Sequence, residues 1–306
     1  MDQDDYDYEY CIPVGCYGAP GSYSSEAMMN YFKNQPITVT YYDRFEEEIQ
    51  AVAAEEIQYG VIPIENSSTG SITEVYDLIR RNNCFIVGEQ CIKIEHHLLA
   101  LPGTRLEDIR TVYSHPQGFA QCRDFFRKHT DWVQCPYFST SQSAERVQRE
   151  GNSTAAAVAN SMAAELYGLQ ILVPHIYTSS FNYTRFFIIA PKMNQADHRD
   201  KITLVLTTKH EPGALYHVLG HFFYNGMNMT HLESRPMEGH PFEYFFHIDV
   251  MGSLTDPGVV KTLDDLARNC TYFKILGNYP SDQGGAAHEI RTYRSEIRTQ
   301  CVAADP

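Results

Sequence analysis

The strongest constraint on the fold is an alternation that runs from residue 11 to residue 190. Short apolar runs of strand length give way to clusters of Gly, Ser, Thr, Asn or Gln, and each cluster is followed by a helical pattern. About five such units follow one another, which predicts a doubly wound α/β sheet, or two α/β lobes with a cleft between them. Ligands bind in such folds where strands end and helices begin. The polar clusters at these points are therefore the candidate site residues.

The first cluster follows the apolar run of residues 11–17. The sequence Gly18-Ala19-Pro20-Gly21 predicts a tight turn, and the hydroxyl residues that start at Ser22 predict a helix N-terminus. The free N–H groups at a helix N-terminus attract anions. Ser22 is therefore a candidate ligand for a carboxylate, although simple helix capping explains the same residues.

The second cluster, residues 65–69, follows the apolar run of residues 60–64 and includes Asn66 and Ser67. Ser71 and Glu74 then match a capping box, with apolar residues at helical spacing behind them. Five consecutive polar residues are more than a short connection needs. Because loops carry function disproportionately, a binding role and a solvated loop are equally compatible with this cluster.

The third cluster begins at Ser114, where a strand ends, and Pro116 has the position of a first-turn proline. Gln117 and Gln121 are four residues apart, so both can lie on one face of the helix predicted for residues 118–128. Two carboxamides beside a serine at a helix start suit the binding of a carboxylate. Further along, Thr154 precedes an alanine-rich strand and is a further hydroxyl donor.

The fourth cluster, Asn182-Tyr183-Thr184-Arg185-Phe186, runs directly into an apolar segment that predicts a central strand. It places a hydroxyl next to a guanidinium, and the latter could bind a carboxylate through two hydrogen bonds. In a regular strand, however, Thr184 and Arg185 face opposite ways. Either the strand bends here or Arg185 lies behind the site, and Phe186 shares the face of Thr184. Taken alone, these five residues are better explained by an N-cap or turn threonine beside a surface salt-bridge arginine.

A second domain is predicted after the polar stretch of residues 193–200. The order of elements is strand (202–206), helix from Pro212, strands (229–233 and 244–250), helix from Pro257 and strand (272–276). Strand–helix–strand–strand–helix–strand is the α+β pattern of the ferredoxin-like split βαβ. The polar segment 281–306 is predicted to be a flexible tail.

Composition excludes several classes of protein. The 306 residues are 43% hydrophobic and 20% charged, and the formal net charge is −14. Nucleic acids and anionic membranes need a basic patch, so neither is an expected partner. No apolar run approaches the ~20 residues of a membrane helix, and the acidic N-terminus is unlike a signal peptide.

The cysteines and histidines give no indication of a metal site. None of the eight cysteines forms a C-x-x-C pair, which argues against zinc or redox chemistry and favours a cytoplasmic location. His96 and His97 are adjacent in an extended segment, so they point to opposite faces and cannot bind one metal together. We expect them to be structural, and we expect no cofactor.

Six segments, taken together and in order, resemble the prephenate dehydratase family with a C-terminal ACT regulatory domain. They are Gly18–Ala19–Pro20–Gly21–Ser22–Tyr23–Ser24, Val61–Ile62–Pro63–Ile64–Glu65–Asn66–Ser67, Ser114–His115–Pro116–Gln117, Asn182–Tyr183–Thr184–Arg185–Phe186, Gly213–Ala214–Leu215 and Glu233–Ser234–Arg235–Pro236. The resemblance covers roughly residues 11–280. One such motif would mean little, whereas six motifs in the order of the family and at similar spacing are a specific match.

The resemblance implies a two-lobed catalytic domain like a periplasmic binding protein over residues 11–192, and an ACT domain over residues 200–280. It implies a carbon–oxygen lyase that converts prephenate to phenylpyruvate with loss of water and carbon dioxide, in phenylalanine biosynthesis. Thr184 matches the essential threonine of the family, with Arg185 and Phe186 as catalytic neighbours. The substrate-binding candidates are Ser22, Asn66, Ser67, Ser114, Gln121 and Thr154.

The resemblance also implies allosteric control by L-phenylalanine through Gly213, Ala214, Leu215, Glu233, Ser234, Arg235 and Pro236. Because ACT domains pair through an open sheet edge, we expect a homodimer or a homotetramer. The stretch before Cys11 is too short for a chorismate mutase domain, so a single activity is expected. Two alternatives remain: arogenate dehydratase, which carries the same motifs, and a non-catalytic amino-acid sensor.

Overall fold

The computed structural model describes residues 11–193, 198–282, 284, 287, 289 and 290. The strands are β1 (Ile12–Tyr17), β2 (Ile37–Tyr42), β3 (Tyr59–Asn66), β4 (Gly70–Ser71), β5 (Phe85–Lys93), β6 (His97–Ala100), β7 (Thr111–Ser114), β8 (Val133–Pro136), β9 (Ala155–Ala159), β10 (Gln170–Val173), β11 (Tyr183–Ala190), β12 (Lys201–Thr207), β13 (Met229–Pro236), β14 (Tyr244–Met251) and β15 (Tyr272–Tyr279). The helices are α1 (Tyr23–Tyr31), α2 (Phe45–Ala53), α3 (Thr73–Arg81), α4 (Pro116–Gln121), α5 (Arg123–Phe126), α6 (Thr140–Glu150), α7 (Ser161–Leu166), α8 (Ala214–Tyr224) and α9 (Pro257–Arg268). The mixed α/β class predicted from the alternation is confirmed.

The chain forms two compact units, and neither is continuous in sequence. Unit one comprises residues 1–48 and 92–184, and unit two comprises residues 49–91 and 185–306. The border within β11 falls between Thr184 and Arg185. The units therefore do not follow the domain limits predicted from the sequence, which remain a prediction.

Unit one contains the parallel pair β1–β2 and a separate sheet in the order β10-β6-β9-β7-β8. Strand β7 runs parallel to β8 and to β9, while β6 is antiparallel to β9. All five residues of β9 are fully buried, because alanine side chains let α6 and α7 pack closely on this strand. The opposite face packs on Leu98, Val112, Trp132 and their neighbours.

Unit two contains the sheet path β13-β14-β12-β15-β5-β11-β3, with β4 paired to β3. The strands β12 to β15 pair antiparallel and, with α8 and α9, have the predicted order strand–helix–strand–strand–helix–strand. We call residues 200–282 the C-terminal module. Its core includes Ile202, Leu204, Phe222 and Leu266.

One register pair, Gly277 with Ile86, joins β15 to β5 in parallel. A Cβ atom at residue 277 would overlap the backbone oxygen of Ile86. Glycine is therefore required at this position, because only a residue without a side chain lets the two backbones approach so closely.

Three local predictions need correction. Ser71 does not cap a helix: it pairs with Glu65 in the β3–β4 hairpin, and α3 begins after Ile72 without a side-chain cap. Glu65 and Asn66 belong to β3 rather than to a loop, because this pairing extends the strand. The helix predicted for residues 118–128 is divided into α4 and α5 at Cys122.

Two residues of the predicted flexible tail, Ser281 and Asp282, make hydrogen bonds with other residues of unit two. Asp282 accepts a hydrogen bond from the backbone N–H of Cys91 at 2.7 Å, and Ser281 donates to Asp200 at 2.8 Å. The remainder of the predicted tail and the acidic segment 1–10 lie largely or wholly outside the described residues. In the described part of the chain, no helix has both the length and the apolarity required to cross a membrane.

Candidate active site

A polar cluster in unit one surrounds the carboxyl ends of β7 and β9. These parallel neighbours are followed by α4 and α7, so two helix N-termini meet at one edge of the sheet. The turn of residues 18–21 lies against them: Ser141 and Tyr167 both donate hydrogen bonds to the carbonyl oxygen of Pro20. Asn160 caps α7 and donates to Glu26 Oε2 at 3.0 Å. This edge of the sheet therefore has the predicted position for a ligand site.

A chain of hydrogen bonds connects Tyr23, the residue after the predicted ligand Ser22, to the predicted ligand Gln121. Ser22 caps α1 by accepting from the backbone N–H of Ser25 at 3.3 Å. The hydroxyl of Tyr23, the next residue, lies 3.0 Å from His96 Nδ1, and His96 Nε2 lies 2.7 Å from Gln121 Oε1. An Nε2–H group that donates to Gln121 leaves Nδ1 as an acceptor, which is the neutral tautomer.

His96 is held on both ring nitrogens by side chains of unit one. Burial lowers its pKa to about 4, and the hydrogen bond that its Nε2–H donates to Gln121 opposes this lowering only in part. His97 likewise has a structural partner, since its Nδ1 accepts from the backbone N–H of His175 at 3.0 Å.

The structure separates two other predicted substrate ligands. Ser114 is fully buried at the carboxyl end of β7 and donates to the carbonyl oxygen of Val158 at 3.3 Å. Thr154 is exposed before the first residue of β9, where its hydroxyl donates to Asn152 at 2.9 Å. Because β7 and β9 are parallel, Thr154 and Ser114 lie at opposite edges of the sheet. Thr154 therefore does not lie beside the polar cluster. The hydroxyl of Ser114 is used in a hydrogen bond to the backbone of Val158.

In unit two, the side chain of Asn66 organises the tip of the β3–β4 hairpin. Its Oδ1 accepts from Ser68 N at 3.0 Å, Ser68 Oγ at 2.6 Å, Thr69 N at 3.1 Å and Thr69 Oγ1 at 3.3 Å. These bonds fix the rotation of the carboxamide and so the direction of its Nδ2 donor. Ser67 is exposed at the same tip.

The two faces of β11 have different surroundings. Thr184 and Phe186 share one face and are 9% and 2% exposed. Arg185 and Phe187 share the other, where Phe187 makes edge contacts with Tyr76 and Tyr279. The strand extends without interruption from Tyr183 to Ala190. Arg185 therefore points away from the face of Thr184, as expected if it lies behind the site.

Arg185 is the centre of a buried ionic network in unit two. Its Nη2 lies 2.7 Å from Glu65 Oε2, and its Nη1 lies 2.8 Å from Asp249 Oδ2 and 3.5 Å from Glu89 Oε2. Lys201 pairs with Glu89 at 2.7 Å and approaches Asp249 at 3.8 Å. Burial alone would raise the pKa of Asp249, but Arg185 and Lys201 outweigh it and lower the pKa to about 2. The Asp249 carboxyl is therefore ionised near neutral pH.

Sequence reasoning missed the members of this network that lie in the C-terminal module. Asp249 and Lys201 are charged residues within apolar strands, and such residues are almost never buried unless they are paired. The sequence could therefore have predicted that Asp249 and Lys201 form ion pairs, but not with which residues. His231 gave no signal: it stacks on Tyr76, whose hydroxyl lies 2.9 Å from its Nε2.

His247 is a second buried residue that sequence reasoning missed. It is fully buried in β14, and among the described residues neither ring nitrogen has a hydrogen-bond partner. Burial lowers its pKa to about 3, so the ring is neutral.

The predicted effector residues lie on two elements of the C-terminal module. Gly213, with φ of 84°, precedes α8, and Ala214 and Leu215 line a pocket of about 420 Å³ together with Phe242, Tyr244 and other residues. Residues 233–236 belong to β13, where Arg235 Nη2 donates to Asp77 Oδ2 at 3.0 Å. The structure places the two predicted effector segments on different elements.

The described residues include no group of three or more His, Cys, Asp or Glu side chains that could hold a metal ion. The buried thiols are held protonated, since burial raises the pKa of Cys122 to about 12 and that of Cys84 to about 11.

Comparison with known proteins gives the class first: the chain is similar to α/β enzymes of known structure. The solved structure of GqqA, described as a novel type of quorum quenching acylase, has 32% identity and a TM-score of 0.81, covering 89% of this chain and 98% of that one. The prephenate dehydratase of Arthrobacter aurescens, solved in complex with L-Phe, has 27% identity and a TM-score of 0.78, covering 94% and 100%.

The family follows from two further matches. The family model for prephenate dehydratase matches residues 14–194. The bifunctional chorismate mutase/prephenate dehydratase of Escherichia coli (strain K12) is 36% identical over 269 residues, which cover 87% of this chain and 70% of that protein. The chain belongs to the prephenate dehydratase family.

Proposed function

We propose that this chain is a prephenate dehydratase, which converts prephenate to phenylpyruvate with loss of water and carbon dioxide. The observation that carries the proposal is the family match over residues 14–194, which contains the strand with Thr184. The activity serves phenylalanine biosynthesis and makes the enzyme a decarboxylating hydro-lyase.

The reaction requires the protein to bind prephenate and to assist the transfer of one proton to the departing hydroxyl. Prephenate is a dianion, and loss of its ring carboxylate as carbon dioxide and of its hydroxyl as water yields an aromatic ring. Because aromatisation supplies the driving force, no cofactor is required. The enzyme must hold the carboxylates and assist the departure of the hydroxyl.

We assign Thr184 as the hydrogen-bond donor to the departing hydroxyl. A threonine hydroxyl is too weak an acid to be a free proton source at neutral pH, so it relays a proton from water or from the substrate. Phe186, on the same face of β11, forms a wall against the ring. A positioned proton donor contributes about 10²–10⁴-fold in rate.

Neutral donors suit the carboxylates, because a strong positive charge would hold back the carboxylate that must be lost. We assign this role to Asn66 and Ser67 on the β3–β4 hairpin and to Ser22 and Gln121 in the cluster of unit one. Ser114, which is fully buried, and Thr154, which lies at the other edge of the sheet, receive no substrate contact.

We propose that the first part of the chain has the two-lobed form of a periplasmic binding protein, and that the C-terminal module is a ferredoxin-like ACT domain that binds L-phenylalanine. The strand order β13-β14-β12-β15 supports the ACT assignment. The relative from Arthrobacter aurescens was solved with L-Phe, and the pocket beside Leu215 is of a size for an amino acid. We further propose that the protein is a homodimer or a homotetramer and that it is located in the cytoplasm.

The test is turnover by the purified chain. With prephenate at neutral pH, phenylpyruvate should form at a rate proportional to enzyme concentration, while a non-catalytic sensor would leave prephenate to its spontaneous decay. A parallel assay with arogenate, read out as phenylalanine, separates arogenate dehydratase from prephenate dehydratase. No acceleration with either substrate would overturn the proposed function.

A second candidate is acylase activity, because the structure of GqqA matches 89% of this chain at 32% identity. Hydrolysis of an acylated amine, with the released acid quantified, tests it on the same preparation. Loss of both activities in Thr184→Val would place them in one site, whereas hydrolysis without prephenate turnover would favour the acylase.

A further inference from the structure

We propose that Asp249 of the C-terminal module is a positioning residue for the reaction: it holds Arg185, and thereby the strand that carries Thr184, in its working conformation. The inference rests on the proposed function and adds to it a residue outside the segment matched by the family model.

Arg185 is tethered within unit two by its contacts with Asp249 and Glu65. Arg185 directly follows Thr184, and its side chain is only 12% exposed. Both terminal nitrogens are occupied, with Asp249 at 2.8 Å and Glu65 at 2.7 Å. Because consecutive side chains of a strand leave opposite faces, fixing the direction of Arg185 fixes the rotation of the backbone at Thr184.

Asp249 is itself held in a fixed position by burial and by a hydrogen bond. Its side chain is fully buried in β14, and its Oδ1 accepts from Thr203 Oγ1 at 2.7 Å. Thr203 itself lies 2.7 Å from the hydroxyl of Tyr279. The carboxylate is thus held by residues of β12 and β15, and it can serve as a fixed point for a guanidinium.

The second carboxylate partner of the Arg185 guanidinium is Glu65. Glu65 directly precedes Asn66, so Arg185 links the strand of Thr184 to the strand of a proposed substrate donor. In this network three carboxylates (Glu65, Glu89 and Asp249) surround Arg185 and Lys201. Loss of Asp249 changes the count from three carboxylates to two for the two cations. Each cation therefore keeps a carboxylate partner, while the anchor in the C-terminal module is lost.

The central experiment compares Asp249→Asn with Leu263→Ala, both measured well below their melting temperatures. Leu263 lies in the core of the C-terminal module, so its variant destabilises the same module without altering the partners of Arg185. Asp249→Asn should lower kcat for prephenate by about 10–100-fold, since misplacement by about 1 Å can cost 10²-fold. KM should change by less than about 3-fold, because substrate contacts remain. Leu263→Ala should keep the wild-type kcat.

Two further variants keep the inference testable if Asp249→Asn folds poorly. Thr203→Val removes the hydrogen bond to Asp249 but keeps every charge, and it should lower kcat in the same direction by a smaller factor. In an Arg185→Met background, which already lacks the tether, Asp249→Asn should lower kcat by less than about 2-fold, because residues that act through one another are not additive.

A readout independent of turnover is amide hydrogen exchange of the segment 182–187, compared with the segment 201–207. Asp249→Asn should speed exchange in the first segment by at least about 3-fold relative to the second, and Leu263→Ala should not. Wild-type kcat and unchanged exchange in Asp249→Asn would overturn the inference. If the wild-type chain fails to convert prephenate, the proposed function fails, and unchanged exchange alone then decides against the tether.

Discussion

At the scale of single residues, Thr184 and Arg185 show how different two neighbours can be. The hydroxyl lies on one face of β11 with Phe186, whereas the guanidinium enters a buried group of carboxylates on the other. To bind a substrate carboxylate, Arg185 would have to give up two charge-assisted hydrogen bonds. Breaking a buried ion pair costs about 3–5 kcal/mol, so neutral donors on the other face are the better candidates.

Replacing Thr184 with Val removes the hydroxyl at nearly constant volume. We expect turnover of prephenate to fall at least about 100-fold, because a positioned proton donor is lost, while far-UV circular dichroism and melting temperature stay near wild type. Thr184→Ser retains the hydroxyl and should keep most of the activity. Near-normal turnover in Thr184→Val would remove Thr184 from the catalytic role.

The buried histidine His96 should make stability depend on pH. Burial lowers its pKa in the folded state to about 4, from an ordinary value of 6.5. Below pH 6.5 the unfolded chain binds a proton that the folded protein does not bind until about pH 4, so stability present above pH 6.5 is lost as pH falls. The loss contributed by this residue is about 3 kcal/mol over that range.

Urea unfolding at several pH values between 7 and 4 measures this effect, with His96→Gln as the control that cannot titrate. The free energy of unfolding should fall more steeply for the wild type than for the variant. Parallel curves would show that His96 does not carry the effect.

The sequence predicted the candidate residues better than their partners. That Arg185 points away from Thr184 follows from strand periodicity alone, but its partner Asp249 is 64 residues further along the chain. A local pattern contains no information about such a pairing. Thr154 was misplaced for a related reason: periodicity locates a strand, but only the parallel pairing of β7 and β9 shows at which edge of the sheet each end lies.

At the scale of elements, most strands and helices could be predicted because their apolar periodicity is regular. The strand predicted for residues 202–206 lies within β12, and α9 begins at Pro257 as predicted, where Asp256 accepts a hydrogen bond from the backbone N–H of Gly258. The capping box at Ser71 failed because the hairpin with β3 competes for the same residues. At Ser71 the pairing of β4 with β3 therefore determines the local structure, and the capping-box motif does not.

The junction of β15 and β5 gives a prediction at this scale. Gly277→Ala should lower the free energy of unfolding by about 1–3 kcal/mol, since a new methyl group would overlap the backbone of Ile86. Gly220→Ala in α8 is the matched control, because its nearest neighbour there is a Tyr224 ring carbon at 3.6 Å. Alanine in a helix interior is favoured by about 1 kcal/mol. Equal effects in chemical denaturation would contradict the close approach.

At the scale of the whole molecule, the C-terminal module combines a pocket with the anchor of Arg185. We expect millimolar L-phenylalanine to alter the kinetics of prephenate turnover, because the pocket beside Leu215 lies in the same module as Asp249. Leu215→Asp should abolish this response by placing a charge in an apolar pocket wall. Val260→Asp, in a separate groove along α9, should retain it. A response preserved in Leu215→Asp would contradict the assignment.

The ionic network has a consequence for how the chain can be divided. A recombinant fragment that stopped at residue 193 would keep Arg185, Glu65 and Glu89 but would lose the carboxylate that lies 2.8 Å from the guanidinium. The complementary fragment would carry Asp249 with Lys201 at 3.8 Å and Thr203 as its remaining neighbours. The polar stretch of residues 193–200 therefore separates two segments of the sequence but not the ionic network, which needs residues from both sides of it.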